Sequence, residues 1–265
     1  FFAVITILLA VILIRVISSS RFKLNGNSFF LVCAIGYFFN IISLISLDVG
    51  KSFAALGWMP VAVTQTSTTA RILHFALFFS RCGELHTTVF TALNRMMAIM
   101  LPNRYEQIWS RKAMIGIFTY QVLISIAVGL IGAMSDASWI KDDSGGFYPQ
   151  HFLSEPAKMM FSGLLLFSTL FIGIISTTYT IAYLKLKERL KNVKIQIVKK
   201  KSERMLTYVA LITCAVEVLY YSVFAYVFLI AKHVESDPRT FHFILAIQGN
   251  LASGIHPYLL MVFSD

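Results

Sequence analysis

Residues 28–47 read SFFLVCAIGYFFNIISLISL, twenty consecutive positions without a charge. An α-helix rises ~1.5 Å per residue, so twenty apolar residues cover the ~30 Å hydrocarbon core of a bilayer. Working outward, six further stretches of similar character are found at Phe1–Ile17, Ile72–Leu101, Ala113–Met134, Ala157–Tyr183, Met205–Ala231 and Phe241–Phe263. Only helices and closed barrels satisfy their backbone in lipid, and the period-2 alternation of barrel strands is absent here. The chain therefore reads as all-α: a seven-transmembrane helix bundle, a single receptor-sized domain over residues 1–265.

Composition agrees. Hydrophobic residues make up 57% of the chain and charged residues 14%, too little polar surface to coat a soluble domain of 265 residues. The loops between the stretches are too short to hold a separate folded unit. No internal repeat or low-complexity segment is present.

Lys and Arg collect in loops that stay cytoplasmic. The gaps after spans one and three carry Arg15, Arg21 and Lys23, then Arg104, Arg111 and Lys112. The gap after span five carries a dense run from Lys185 and Lys187 through Lys194 to Lys199, Lys200, Lys201 and Arg204. The alternate gaps hold scattered Lys51, Arg71, Lys141, Lys158, Lys232 and Arg239, diluted by Asp136, Asp142, Asp143, Glu155, Glu235 and Asp237. This asymmetry predicts an outside N-terminus and an inside C-terminus. The formal charge of +10 is then topological rather than a sign of nucleic-acid binding. Leu184, Leu186, Leu190, Val193 and Ile197 among the lysines predict that span five continues as an amphipathic helix able to touch anionic lipid.

Phe1 opens directly into apolar sequence, with neither a basic leader nor a small-residue cleavage site. The chain is expected to start within a first membrane helix and to stop at Asp265, where span seven meets the cytoplasm, so the natural protein is expected to be longer at both ends. Cys33, Cys82 and Cys214 all lie inside spans and are expected to be apolar free thiols.

Span three carries the chemistry. His74, Arg81, Glu84, Thr88, Thr91 and Arg95 follow at helical spacing and share one face, within an arc of ~100°. Ionisable groups in a bilayer are costly and face the bundle interior or a water-filled cavity. Span three is therefore expected at the centre. Arg81 falls ~14 Å below the outer end of its span, Glu84 one turn deeper, and Glu217 of span six ~21 Å below its own outer end. Two readings stay open: a polar cluster facing a ligand, or an ion-pair network that holds spans three and six together. Tyr220 and Tyr221 continue span six toward the outside, where Trp58 could also line a mouth. Aromatic rings at such positions are more often packing than recognition. His86 points off the stripe as a helix–helix contact. Gln248 and Asn250 of span seven suit interhelical hydrogen bonds, with Gln248 also a candidate for ligand contact. Pro257 is a candidate hinge.

No catalytic or metal-binding constellation is present. There is no H-E-x-x-H, no G-x-S-x-G and no phosphate-cradling glycine loop, and the six histidines are scattered. No enzyme activity, no cofactor and no nucleic-acid partner is expected.

The inner end of span three reads Leu93-Asn94-Arg95-Met96, followed by Pro102-Asn103-Arg104-Tyr105-Glu106-Gln107-Ile108-Trp109. This L-N-R-M…P-x-x-Y-x-x-I-W run resembles the nematode serpentine chemoreceptors of the Srg superfamily, and within it serpentine receptor class V. The resemblance implies a rhodopsin-like receptor that binds a small molecule from outside and couples to a heterotrimeric G protein. It also implies a multi-pass protein of the plasma membrane, and of sensory cilia. Asn94-Arg95-Met96 stands where such receptors carry an acidic-Arg-aromatic coupling triplet, so the acidic partner that locks the arginine is absent. His256-Pro257-Tyr258 stands where they carry Asn-Pro-x-x-Tyr, the proline matching and the tyrosine spacing not. Their disulfide between the third helix and second outer loop has no cysteines here. The competing function is a ligand-gated channel or transporter using the polar face of span three, which the expected topology and the lack of repeated halves oppose.

Overall fold

Every backbone N–H and C=O in lipid must find its partner within the chain, which turns apolar stretches into helices. The computed structural model describes residues 2–18, 28–47, 50, 53, 56–58, 66–134, 138–141 and 147–150. It also describes positions 163, 166, 170, 171, 173, 174, 177, 178, 180, 181, 184, 185 and 188, then 212, 215, 216, 218–220 and 222, then 247, 249–251, 253 and 258. Helix α1 is Phe2–Ser18, α2 Ser28–Leu47, α3 Ser67–Met100, α4 Tyr105–Ile108 and α5 Arg111–Met134. The described positions from 163 onward are all α-helical. Leu184, Lys185 and Glu188 are helical as well, beyond Tyr183. Among the described residues, α2 and α5 are long and apolar enough to cross a membrane.

Helix α3 begins at Ser67, five positions before the expected Ile72, through the polar run Ser67-Thr68-Thr69-Ala70-Arg71. Its 34 residues span ~51 Å, well beyond a ~30 Å core, so a helix of this length has room for its polar start outside the hydrocarbon. A second difference is a small antiparallel hairpin after α5, β1 (Ser138–Lys141) with β2 (Phe147–Gln150), registered Trp139↔Pro149 and Ile140↔Tyr148. Its signal was legible in sequence: aromatic and β-branched residues flanking Asp142-Asp143-Ser144-Gly145-Gly146. The Trp139 indole N–H donates to the Thr69 hydroxyl at 3.2 Å, tying the hairpin to the first turn of α3.

Helix α5 is inside-out by the standards of a soluble protein. Its buried positions are Met114, Gln121, Ser125, Gly129 and Gly132, mostly small or polar, at helical spacing on one face. Ile115, Phe118, Leu123, Leu130 and Ile131 face outward. Lipid is as apolar as leucine, so such a helix is driven together with its neighbours by close packing rather than by burial of apolar area. Gly132 supplies that closeness, since a Cβ there would stand 2.6 Å from the Phe78 ring of α3.

On the opposite side, α2 runs antiparallel to α3. A Cβ on Gly83 would fall 2.1 Å from the ring of Phe39, which is fully buried and tilted against Phe79 at 5.4 Å. Phe39 joins Val32, Ile35, Phe79, Trp109 and Met114 in one core cluster between α2, α3 and α5. A second cluster, Ala10, Phe29, Cys33 and Tyr37, joins α1 to α2. Phe171 and Val218 pack on Val89 and Ala92 of α3. Ser253 donates to Ser43 of α2 at 3.1 Å, and the Tyr258 hydroxyl lies 3.1 Å from that of Thr6 on α1. Residues 77–89 of α3 are buried apart from half-buried Arg81. This is the central helix expected from its polar stripe. Cys33 and Cys82 are buried free thiols; Cys214 lies outside the described residues.

Phe39 has no room to yield, so Gly83→Ala should overpack the α2–α3 contact by about 1–3 kcal/mol. Gly116, with nothing within 4 Å of its added Cβ, should accept alanine without loss. A thermal melt of detergent-purified protein, followed by a fluorophore that reacts with the buried Cys33 and Cys82 thiols as unfolding uncovers them, should show a lower midpoint for Gly83→Ala only. Equal midpoints for the two variants would refute the contact.

Candidate functional site

The stripe on α3 brings its two central charges together. Arg81 Nη1 donates to Glu84 Oε2 at 2.6 Å, one helical turn apart, with side chains 11% and 5% exposed. The guanidinium carbon also lies 4.4 Å from the centre of the Tyr220 ring, a cation–π contact with the sixth apolar stretch. A Cβ on Gly249 would stand 2.8 Å from Arg81 Nη2 and 2.6 Å from Leu47 Cδ1. A side chain at Gly249 would crowd the guanidinium and Leu47 together. Arg81 therefore joins α3 to the segments bearing Tyr220 and Gly249.

Glu84 spends one carboxylate oxygen on Arg81. Its other oxygen, Oε1, is buried without a hydrogen-bond partner among the described residues. Thr88 donates to the Glu84 backbone carbonyl at 3.1 Å, which turns its hydroxyl back along the helix. The Thr91 hydroxyl is likewise buried without a partner among the described residues. The arrangement is a nearly neutral pair holding spare acceptor capacity in an apolar surround.

The other expected ligand residues distribute unevenly. His74 is buried two turns from Arg81, and its carbonyl lies 3.3 Å from a Cβ placed on Gly132, so that turn packs toward α5. Glu217, Tyr221 and Gln248 lie outside the described residues, as does Pro257. Trp58 is exposed and packs on Phe53 at 5.7 Å between ring centres. His86 is the helix contact expected of it. Its Nδ1 lies 2.8 Å from the Cys82 carbonyl, its Nε2 3.2 Å from the Tyr120 hydroxyl, and its ring meets Phe171 edge-on at 4.7 Å.

At the far end of α3, Asn94 is fully buried. Its Nδ2 donates to Ser28 Oγ at 2.9 Å, the Tyr105 hydroxyl donates to its Oδ1 at 2.9 Å, and Ser28 Oγ and Tyr105 Oη are 2.6 Å apart. Arg95 lies with its guanidinium carbon 3.5 Å from the centre of the Phe29 ring, at the start of α2. Met96 is half-buried. Among the described residues, Arg95 turns to α2. The loop that follows is ordered by its own backbone: Arg104 N–H reaches the Leu101 carbonyl, and Trp109 N–H the Tyr105 carbonyl. Trp109 is buried in the α2–α3–α5 core cluster.

Sequence reasoning missed Ser28, Gln121 and the structural parts of Tyr105 and Trp109. Gln121 is fully buried and donates to the Thr87 hydroxyl at 3.2 Å. A single amide inside the apolar α5 was the available signal. Ser28 had none, being one serine at the edge of an apolar run.

The chain thus combines seven apolar stretches, a central polar helix and an ordered Asn-Arg…Tyr…Trp end. A family model described as serpentine type 7TM GPCR chemoreceptor Srv matches residues 1–265. The chain belongs to the Srv chemoreceptor family. Srv is the narrower of the two names that the resemblance suggested, and the match spans all seven apolar stretches. Comparison with curated proteins found no match. The Srv family is one of membrane chemoreceptors and is not an enzyme family.

Removing one member of a buried ion pair strands the other, at about 3–5 kcal/mol. If Arg81 and Glu84 serve only as architecture, Arg81→Gln and Glu84→Gln should each cut surface expression, and the two together should cost less than their sum. If the pair serves recognition, surface expression should hold while response to active compounds shifts. Parallel surface-label and dose–response measurements on the three variants separate the two.

Proposed function

We propose that this Srv chemoreceptor binds a small molecule at the Arg81–Glu84 cluster and signals through the Arg95 end of α3 to a heterotrimeric G protein. One observation carries the reading: a single buried helix bears a charged cluster at mid-depth and the coupling arginine fourteen residues further on, ~21 Å away. A rigid helix held by α2, α5 and the segments bearing Phe171, Val218 and Gly249 passes a displacement from one end to the other. Glu84 Oε1, buried without a partner among the described residues, supports recognition, because it is an acceptor that a ligand N–H or O–H can meet in an apolar site. The contacts of Arg81 with Tyr220 and Gly249 supply the moving parts. A ligand shifts the equilibrium only by binding one arrangement of those segments more tightly than the other. The charge asymmetry of the loops supports an outward-facing cluster and a cytoplasmic Arg95, and membership of a chemoreceptor family supports residence in the plasma membrane.

Expression in a reporter cell, challenged with small volatile and water-soluble compounds, tests the reading. Arg95→Ala should abolish the evoked signal while surface expression stays near wild type. A retained signal removes Arg95 from coupling. Topology is tested apart from any ligand: an epitope inserted near Lys194 should be reached by antibody only after permeabilisation, and labelling of intact cells would reverse the orientation.

A further inference from the structure

The three contacts among Ser28, Asn94 and Tyr105 close on themselves. Tyr105 has one hydroxyl proton, and it goes to Asn94 Oδ1. In the 2.6 Å contact with Ser28 the tyrosine oxygen is therefore the acceptor and Ser28 the donor. Ser28 in turn accepts from Asn94 Nδ2. Each group donates once and accepts once, around one ring that joins the start of α2, the inner end of α3 and the loop helix α4. Turning the amide over reverses the sense of the ring and leaves it closed.

The ring sits beside the coupling arginine. Asn94 and Arg95 are adjacent on α3, and Ser28 and Phe29 are adjacent on α2. Asn94 is held by Ser28, and Arg95 lies over Phe29. Two neighbouring residues of one helix are thus clasped by two neighbouring residues of the other, with Tyr105 closing the clasp from the loop. The amide is required, because the ring needs a donor and an acceptor from the same side chain. A carboxylate at 94 would accept from both hydroxyls and offer Ser28 nothing.

We infer that Ser28 and Tyr105 are positioning residues that keep Arg95 on Phe29 in the resting receptor, through a neutral hydrogen-bonded ring in place of a charged lock. The inference rests on the coupling reading of Arg95. When the ring opens, Arg95 loses its registration on α2 and becomes available to a partner at that end of the bundle. Asn94→Asp should act as a broken ring rather than as a restored lock.

Basal guanine-nucleotide exchange of the full chain, co-expressed with a panel of Gα subunits and normalised to surface receptor, needs no ligand. Ser28→Ala, Tyr105→Phe and Asn94→Asp should each raise it, by about fivefold or more if the coupling is of ordinary allosteric size. Ser28→Thr, which keeps the hydroxyl, should stay at the wild-type level. Adding Arg95→Ala to Ser28→Ala should silence the raised signal. Unchanged basal exchange in both Ser28→Ala and Tyr105→Phe at matched surface level overturns the inference and leaves the coupling reading standing. Raised exchange that survives Arg95→Ala overturns the coupling reading, and this assignment with it. Should Ser28→Ala fail to reach the surface, Tyr105→Phe, altered in an exposed loop helix, carries the same test. An effect confined to surface level in all three variants makes the ring purely architectural.

Discussion

A charged side chain in hydrocarbon has to be covered by protein, and the architecture follows from that constraint applied to α3. This helix carries Arg81, Glu84, His86, Asn94 and Arg95 through the membrane, too many polar groups for any face toward lipid. Its neighbours accordingly supply partners on several sides: Ser28 and Phe29 from α2, Tyr120 and Gln121 from α5, and Tyr220 near Arg81. Glycines at positions 83, 132 and 249 let these elements come close enough to make the contacts. The polar helix is central because nothing else in the fold can shield it.

The same constraint explains why the two ends of α3 are held so differently. Around Arg81 the contacts are an ion pair, a ring face and a space kept open by Gly249. Such contacts change in strength when a guest alters the local charge or displaces the ring. Around Asn94 the contacts are a closed hydrogen-bonded ring beside a fully buried amide. A ring whose members are all satisfied favours one discrete arrangement, and its opening is cooperative. A soft cluster and a stiff clasp on one helix are what the proposed ligand site and coupling end require.

The L-N-R-M…P-x-x-Y-x-x-I-W run gains a physical meaning from these contacts. Tyr105 reaches back to Asn94, eleven residues earlier, and Trp109 enters the core shared by α2, α3 and α5. Spacing within the run is what lets one turn of helix, Tyr105–Ile108, deliver both rings to the same side. The neutral Asn94 is then a fitted part of a ring rather than a degraded acidic residue.

Much of the fold was legible in the chain alone, because transfer into lipid is decided by composition over about twenty residues and hardly by context. The limits of α2, the central position of α3, the buried thiols and the interhelical part of His86 all follow from local pattern. The hairpin was legible too, in its aromatic strands and turn residues, though it went unread beside the stronger helical signal. The candidate site was legible only as a list of costly residues on one face. Which of them meet, and through what, depends on helices far apart in sequence: Ser28 with Asn94, Arg81 with Tyr220, Leu47 with Gly249. A serine or a glycine carries no mark of such a partnership in its own neighbourhood. The sequence by itself determined that this is a membrane bundle built around one polar helix, since the cost of burying charge is local. Only the tertiary structure decided the partner of each polar group, since a hydrogen bond is set by a distance between atoms that the chain brings together last.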